Sequence, residues 1–424
     1  MRYLGRKHLL GVATLVSALA VTTACSSSGG STTAATGGSS SSATSGGATG
    51  STITIGGTGS ISSSVLSQPE RQGAEEAAIS VINAAGGVKG HPLKLDWCDT
   101  KNDANGEFTC MRQLAADKVT AIVAPGLIVD QSSRGLKYAA AQGIPIIGGQ
   151  GLSPAEFSTP GVFPLASGIP GWSYGQVVAL VNAGCKHIAL FGDNEAGSLY
   201  ILGFTQAAMQ LAGITPVRYV KTDQNADPTF AQGAAQAIAG GVDCVVFDSS
   251  PTYGAKAVQA LRGAGFKGPI ASITGVFVQP IINSLGANAN GLYLTSQMAL
   301  NTDTSNPGVQ AFLAAMKKYA SSDDTNETAM TAWTAVQLFA DVAKTISGGI
   351  DSASVLAAMN NLSTPIGLQT AGPYQVKDVT SPLKDYPRMY NTMVAIGVVK
   401  DGKLAPAGSG GFVDPFKALA ALKK

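Results

Sequence analysis

The chain has 424 residues, 13% of them charged and 6% aromatic, and a net charge of +2. That length calls for about two domains. Near-neutral charge without a basic cluster argues against nucleic acid as a partner, which needs Lys and Arg gathered on one face.

Arg2, Arg6 and Lys7 precede an apolar run, Leu9 to Val21, too short to span a membrane. Small residues, Thr22-Thr23-Ala24, lead into Cys25, and the whole resembles a bacterial lipoprotein signal (residues 1–24) whose cysteine is lipidated and becomes the first mature residue. Thr22 departs from the commoner Leu at its position. Residues 25–52 are almost wholly Ser, Gly, Thr and Ala, which reads as a flexible tether spanning on the order of 25–30 Å. The resemblance implies a domain held to the outer face of the cell membrane by Cys25.

Four of the five cysteines then remain, an even number in an oxidising compartment. Cys98 and Cys110 bracket a short polar loop, while Cys185 and Cys244 each open a strand-like segment, IALFGD and VVFDSS. Of the three connectivities open to four cysteines, 98–110 with 185–244 is favoured. A metal site is the rival reading, but there is no CxxC spacing and there are only 3 His. No metal and no cofactor are expected.

Ile53-Thr54-Ile55 alternates with β-branched character and stops at Gly56-Gly57, a strand followed by the small, hydroxyl-rich stretch Thr58 to Ser64. That stretch suits close backbone approach to something bound. Ala74, Ala78, Val81, Ile82 and Ala85 recur at helical spacing with Gly86-Gly87 as C-cap, and Leu93, Leu95 and Trp97 alternate as a second strand. Strand, helix, strand of this kind builds a parallel sheet, whose strand C-termini hold the binding crevice. The unit repeats: TAIVAPG, then Ile144 to Ile147 stopping at GGQGLS, and, after a connecting stretch at Phe163 to Ser167, HIALFGD, PVRYV, DCVVFDSS and PIASIT, each with a helix between. Leu292 to Leu294 reads as a second connecting strand, and Pro307 to Tyr319 and Met330 to Ile346 as long helices. The fold class is α/β, with two doubly wound parallel-sheet lobes joined by crossing strands. Lobe 1 is expected at 53–160 plus about 300–360, and lobe 2 at 161–299 plus about 361–424.

ITIGGTGSIS, GAEEAAISVINAAGGVKGHPLKL, IPIIGGQG, HIALFGDNEAG, ADPTFAQGAAQAI, GFKGPIASITG and AGPYQVKD resemble, in order and spacing, the leucine/isoleucine/valine-type substrate-binding proteins of ABC transporters. Asn83…Gly86-Gly87-x-x-Gly90 is the most specific single motif, and the likeness runs from about residue 51 to the end. It implies the type I periplasmic binding fold and an extracytoplasmic protein that closes two lobes on a small ligand, an amino acid or related carboxylate, and delivers it to ABC permease subunits. A receptor of the same fold signalling to a membrane kinase is the alternative, and an extracellular hydrolase the last.

Enzyme readings find little support. Gly56-Gly57-Thr58-Gly59 follows a strand, yet Ser62 stands where a dinucleotide fingerprint needs its third glycine. There is no G-x-S-x-G, and His91 and His187 have no triad partners in view. Binding has better candidates at the strand ends. Lobe 1 offers the hydroxyls of Ser60, Ser62 and Ser63 and the backbone of Gly126, Gly149, Gln150 and Gly151. Lobe 2 offers Asp193, Asn194, Glu195, Ser249, Ser250, Tyr253, Thr274 and Phe277.

In amino-acid-binding relatives an acid follows the strand matching PIASIT and pairs with the ligand ammonium; here Thr274 stands in that place. The hydroxyl expected to hold a ligand carboxylate is shifted or absent within Gln150-Gly151-Leu152-Ser153, and Gly197 or a neighbour replaces a tyrosine. A ligand bearing a carboxylate, or neutral and polar, is therefore expected to bind at least as well as the branched-chain amino acids. In the alternative, Asp248, Glu195 or Asp193 reaches the ammonium from a new position.

Overall fold

The computed structural model describes residues 48–64, 66–126, 132–249 and 251–423. The signal, Cys25, most of the tether and Ser250 lie outside the described residues.

β1 (Ile53–Gly59) alternates faces, so Ile53 and Ile55 are buried against α1 (Pro69–Ala84) while Gly56 lies under Leu114 of α2 (Ala104–Ala116). β2 (Leu93–Asp99) pairs parallel with β1, Ile53 opposite Leu93. The Asn83 motif has a local cause: Asn83 donates to the Leu93 carbonyl at 2.9 Å and accepts from its N–H at 2.8 Å, fixing where β2 starts. Gly86, Gly87 and Gly90 all have positive φ, the region that glycine adopts without the strain a Cβ brings. β3 (Ile122–Val123), α3 (Arg134–Ala141), β4 (Ile146–Ile147) and β5 (Val162–Phe163) complete a parallel sheet in the order β2-β1-β3-β4-β5.

At 163–168 the chain crosses to the second lobe and enters α4 (Gly168–Asn182). β6 (Ile188–Asp193), α5 (Ala196–Leu211), β7 (Arg218–Thr222), α6 (Ala231–Ala237), β8 (Cys244–Asp248), α7 (Pro251–Gly263), β9 (Ile270–Ile273), α8 (Gln279–Leu285) and β10 (Leu292–Ser296) follow. Their strands pair parallel as β10-β9-β8-β6-β7. β10, read from sequence as a connecting strand, is a full member of this sheet. The chain then returns to lobe 1 through α9 (Pro307–Tyr319), α10 (Glu327–Thr345), α11 (Ser352–Asn360) and the hairpin β11 (Ile366–Leu368) and β12 (Gly372–Tyr374).

Leu368, Ala371, Tyr374 and Val376 belong to the same core as Ile55 and α10. The crossing expected near residue 361 therefore comes later, because these side chains cover apolar surface that α10 leaves open. β13 (Val394–Lys400), β14 (Lys403–Pro406), β15 (Phe412–Val413) and α12 (Pro415–Leu422) end the chain on lobe 2, where β13 pairs antiparallel with β10, β14 and β15. The second sheet is thus mixed rather than purely parallel.

Both favoured disulfides are present. Cys98–Cys110 ties the end of β2 to α2 with Cα atoms 5.4 Å apart, and Cys185–Cys244 ties the approach to β6 to the start of β8 at 5.9 Å. Among the described residues no helix is long and apolar enough to cross a membrane.

Candidate functional site

The C-terminal ends of β1, β3 and β4 in lobe 1, and of β6, β8 and β9 in lobe 2, carry the residues that sequence singled out. At lobe 1 the small residues serve the protein's own side chains. A Cβ on Gly57 would lie 2.1 Å from Glu75 Oε2 and 2.7 Å from the Trp97 ring; one on Gly59 would meet Arg71 Cδ at 2.9 Å. The GGTG run therefore admits Glu75, Trp97 and Arg71 against β1, not a phosphate.

The loop donors are committed as well. Asp99 accepts from Ile61 N–H at 3.0 Å and Ser62 N–H at 3.1 Å, which holds its carboxyl below its ordinary pKa. Ser60 Oγ donates to the Leu66 carbonyl at 2.7 Å, and Ser63 Oγ accepts from Leu66 N–H at 3.5 Å. Gly126 N–H bonds the Thr58 carbonyl at 3.0 Å.

After β4, Glu156 accepts from the N–H groups of Gly151, Leu152 and Ser153 at 3.0, 2.8 and 3.0 Å. A carboxylate of the chain thus takes the Gly151 N–H that sequence offered to a ligand, together with those of its two successors. Burial raises the Glu156 pKa, and these donors oppose the rise.

Arg71 is fully buried beneath this rim. It donates to the Ala124 carbonyl at 2.9 Å and to Gln150 Oε1 at 3.1 Å, while its Nε has no partner. Burial lowers its pKa, opposed by Glu75, Glu70 and Glu156. Glu75, with neither oxygen partnered, is pushed well up by the same burial. Gln150 is half-buried and passes a hydrogen bond on to Thr328 Oγ1 at 3.1 Å.

On lobe 2, Asp193 is buried, with Oδ1 accepting from Glu195 N–H at 3.0 Å and Oδ2 unpartnered. Asn194 and Glu195 are exposed; Glu195 Oε1 accepts from Gln224 at 3.1 Å. Ser249 is buried at the end of β8. Asp248 accepts from Gln176 Nε2 at 2.6 Å and Thr205 Oγ1 at 3.2 Å inside the lobe, and burial pushes its pKa up to about 6. Two aromatic candidates are packing residues. Phe277 is 1% exposed within the lobe 2 core, and Tyr253 lies tilted against Phe230 at 5.7 Å.

None of Asp193, Glu195 and Asp248 is hydrogen-bonded to Thr274 among the described residues. The acid so bonded is Glu327, the first residue of α10, whose Oε2 accepts from Thr274 Oγ1. Glu327, Glu156, Arg71 and Trp172 escaped the sequence reading. Only Ser153-x-x-Glu156 carried a signal, a capping box now seen closed.

A family model described as periplasmic binding protein matches residues 52–383. The Leu/Ile/Val-binding protein homolog 3 of Brucella melitensis is 25% identical over 324 residues, covering 74% of this chain and 84% of that protein. An extracellular ligand-binding receptor from Verminephrobacter eiseniae superposes with TM-score 0.70 at 18% identity, covering 84% of this chain and 99% of its own. The branched-chain amino acid transporter substrate-binding protein of Streptococcus pneumoniae, solved with isoleucine, gives 0.67 at 20% identity over 85% and 99%. A solute-binding protein from R. palustris, solved with 4-hydroxybenzoate, gives 0.64 at 17% over 85% and 96%. The chain belongs to the periplasmic binding protein family and has its two-lobed type I fold.

Proposed function

We propose that this protein is an extracytoplasmic solute-binding lipoprotein that captures a small polar ligand, an amino acid or related carboxylate, between its lobes and delivers it to an ABC permease. The observation that carries the reading is the pairing of two αβ lobes, bridged where Thr274 after β9 bonds Glu327 at the start of α10. Closure is a hinge motion about the crossing segments, with ligand shifting an equilibrium between open and closed forms. The lipoprotein signal and the tether support anchoring through Cys25, which gives a ligand-loaded domain a short leash above the permease. Since the family's members bind solutes, the protein captures its ligand without turning it over.

Mass spectrometry of ligand carried through native purification tests the reading directly. Calorimetry with leucine, isoleucine and valine beside their 2-oxo acids then sorts amino acid from carboxylate. A purified protein that retains no small molecule, and binds none of these, would count against ligand capture. Uptake of the ligand lost on deleting adjacent permease genes separates transport from sensing.

A further inference from the structure

We infer that the first turn of α10 is the latch between the lobes, with the Glu327 carboxylate as its closing group. This goes beyond ligand capture itself and rests on the two-lobe reading above. Asn326, Glu327 and Thr328 are consecutive, and each bonds a different part of the molecule. Asn326 caps the helix by accepting from Ala329 N–H at 3.0 Å and donates to Glu70 on α1 at 3.0 Å. Thr328 accepts from Gln150, the half-buried residue of the loop after β4, which Arg71 holds from below.

Glu327 reaches out of lobe 1 altogether. Its Oε1 accepts from Trp172 Nε1 at 3.2 Å and from Gln297 N–H at 2.8 Å, and its Oε2 from Thr274 Oγ1. α10 is built into the lobe 1 core, whereas Trp172 and Ile273, the residue before Thr274, belong to the lobe 2 core. Gln297 lies on the segment that crosses between them.

One lobe 1 carboxylate thus holds two donors from lobe 2 and a third from a crossing segment. Among the described residues no Lys or Arg forms an ion pair with it. Its compensation comes from those neutral donors and from the helix N-terminus on which it sits. Burial raises its pKa and the donors hold it down, as expected of a carboxylate supported by hydrogen bonds alone. Hydrogen bonds are directional, so a few degrees of lobe rotation strain all of these together. Gln150 connects the same helix turn to Arg71 and the loop after β4, the loop whose residues sequence offered to a ligand.

The test needs neither ligand nor permease. Spin labels on V81C in α1 and V217C before β7, both at exposed positions, report the distance between the lobes by electron double resonance. E327Q is expected to shift the ratio of wide to close forms by about tenfold or more, the scale of a hydrogen bond to a charged group. T274V and W172F, which leave Glu327 in place and the cores filled, are expected to shift it less, and T274S to restore it. Because T274V removes a bond whose charged acceptor E327Q neutralises, the double variant should open less than the two single effects combined. An unchanged distribution in E327Q, or independent addition of the two effects, overturns the assignment. Should E327Q fail to fold, T274V and W172F decide: equal distributions to wild type overturn it. Ligand retention failing while these variants open would indict the functional reading alone.

Discussion

Replacing Asp248 by Asn tests whether this acid is an interior residue of lobe 2 rather than a ligand contact. The carboxyl is 2% exposed at the end of β8, between Gln176 and Thr205, both fully buried. Burial lifts its pKa from 3.8 to about 6. At about 1.4 kcal/mol per pH unit, that interval is worth about 3 kcal/mol. The sign follows from which state holds the proton more tightly. The folded state does, so the stability this group confers is complete below about pH 4 and is lost as pH rises through about 6.

Asn keeps an oxygen for Gln176 and never ionises. The stability of D248N relative to wild type should therefore rise by up to about 3 kcal/mol between pH 4 and pH 8. Urea unfolding at pH 4.5, 6 and 7.5 reads the difference, and ligand carried through purification should be unchanged. A difference that stays constant with pH refutes the burial argument, and a variant that loses its ligand while folded returns Asp248 to the cleft.

Gly57→Ala places a methyl 2.1 Å from Glu75 Oε2 and 2.7 Å from the Trp97 ring, and should cost on the order of 1–3 kcal/mol by thermal unfolding; wild-type stability would show that the pair moves freely. Removing Cys98–Cys110, with a sequence separation of 12, should cost about 3 kcal/mol, and removing Cys185–Cys244, with a separation of 59, somewhat more. Urea titration of the two Cys→Ser pairs checks that order, and its reversal would mean that native-state effects outweigh loop closure. Cys25→Ala should release the protein from membranes, since two acyl chains hold a protein where one does not; a variant that stays bound, with no acyl mass on the wild type, removes the lipoprotein reading.

Local pattern was enough for much of this protein. Ile53 and Ile55, the alanine stripe of α1, and the Asn83 and glycine turn each state their structure within a few residues, because strand alternation, helical spacing and positive φ are local properties. The succession of such units was enough for the two-lobed fold. What only tertiary structure decided is which side chains occupy the strand ends. Arg71 and Glu75 reach β1 from the helix beside it, Glu156 folds back on its own loop, and Glu327 arrives at Thr274 from more than fifty residues away along the chain. Periodicity marks which face of an element is apolar, but a polar group is placed by partners that the fold brings from elsewhere. A buried carboxylate must find its donors wherever packing leaves them, and no spacing within α10 records that Thr274, Trp172 and Gln297 will be there.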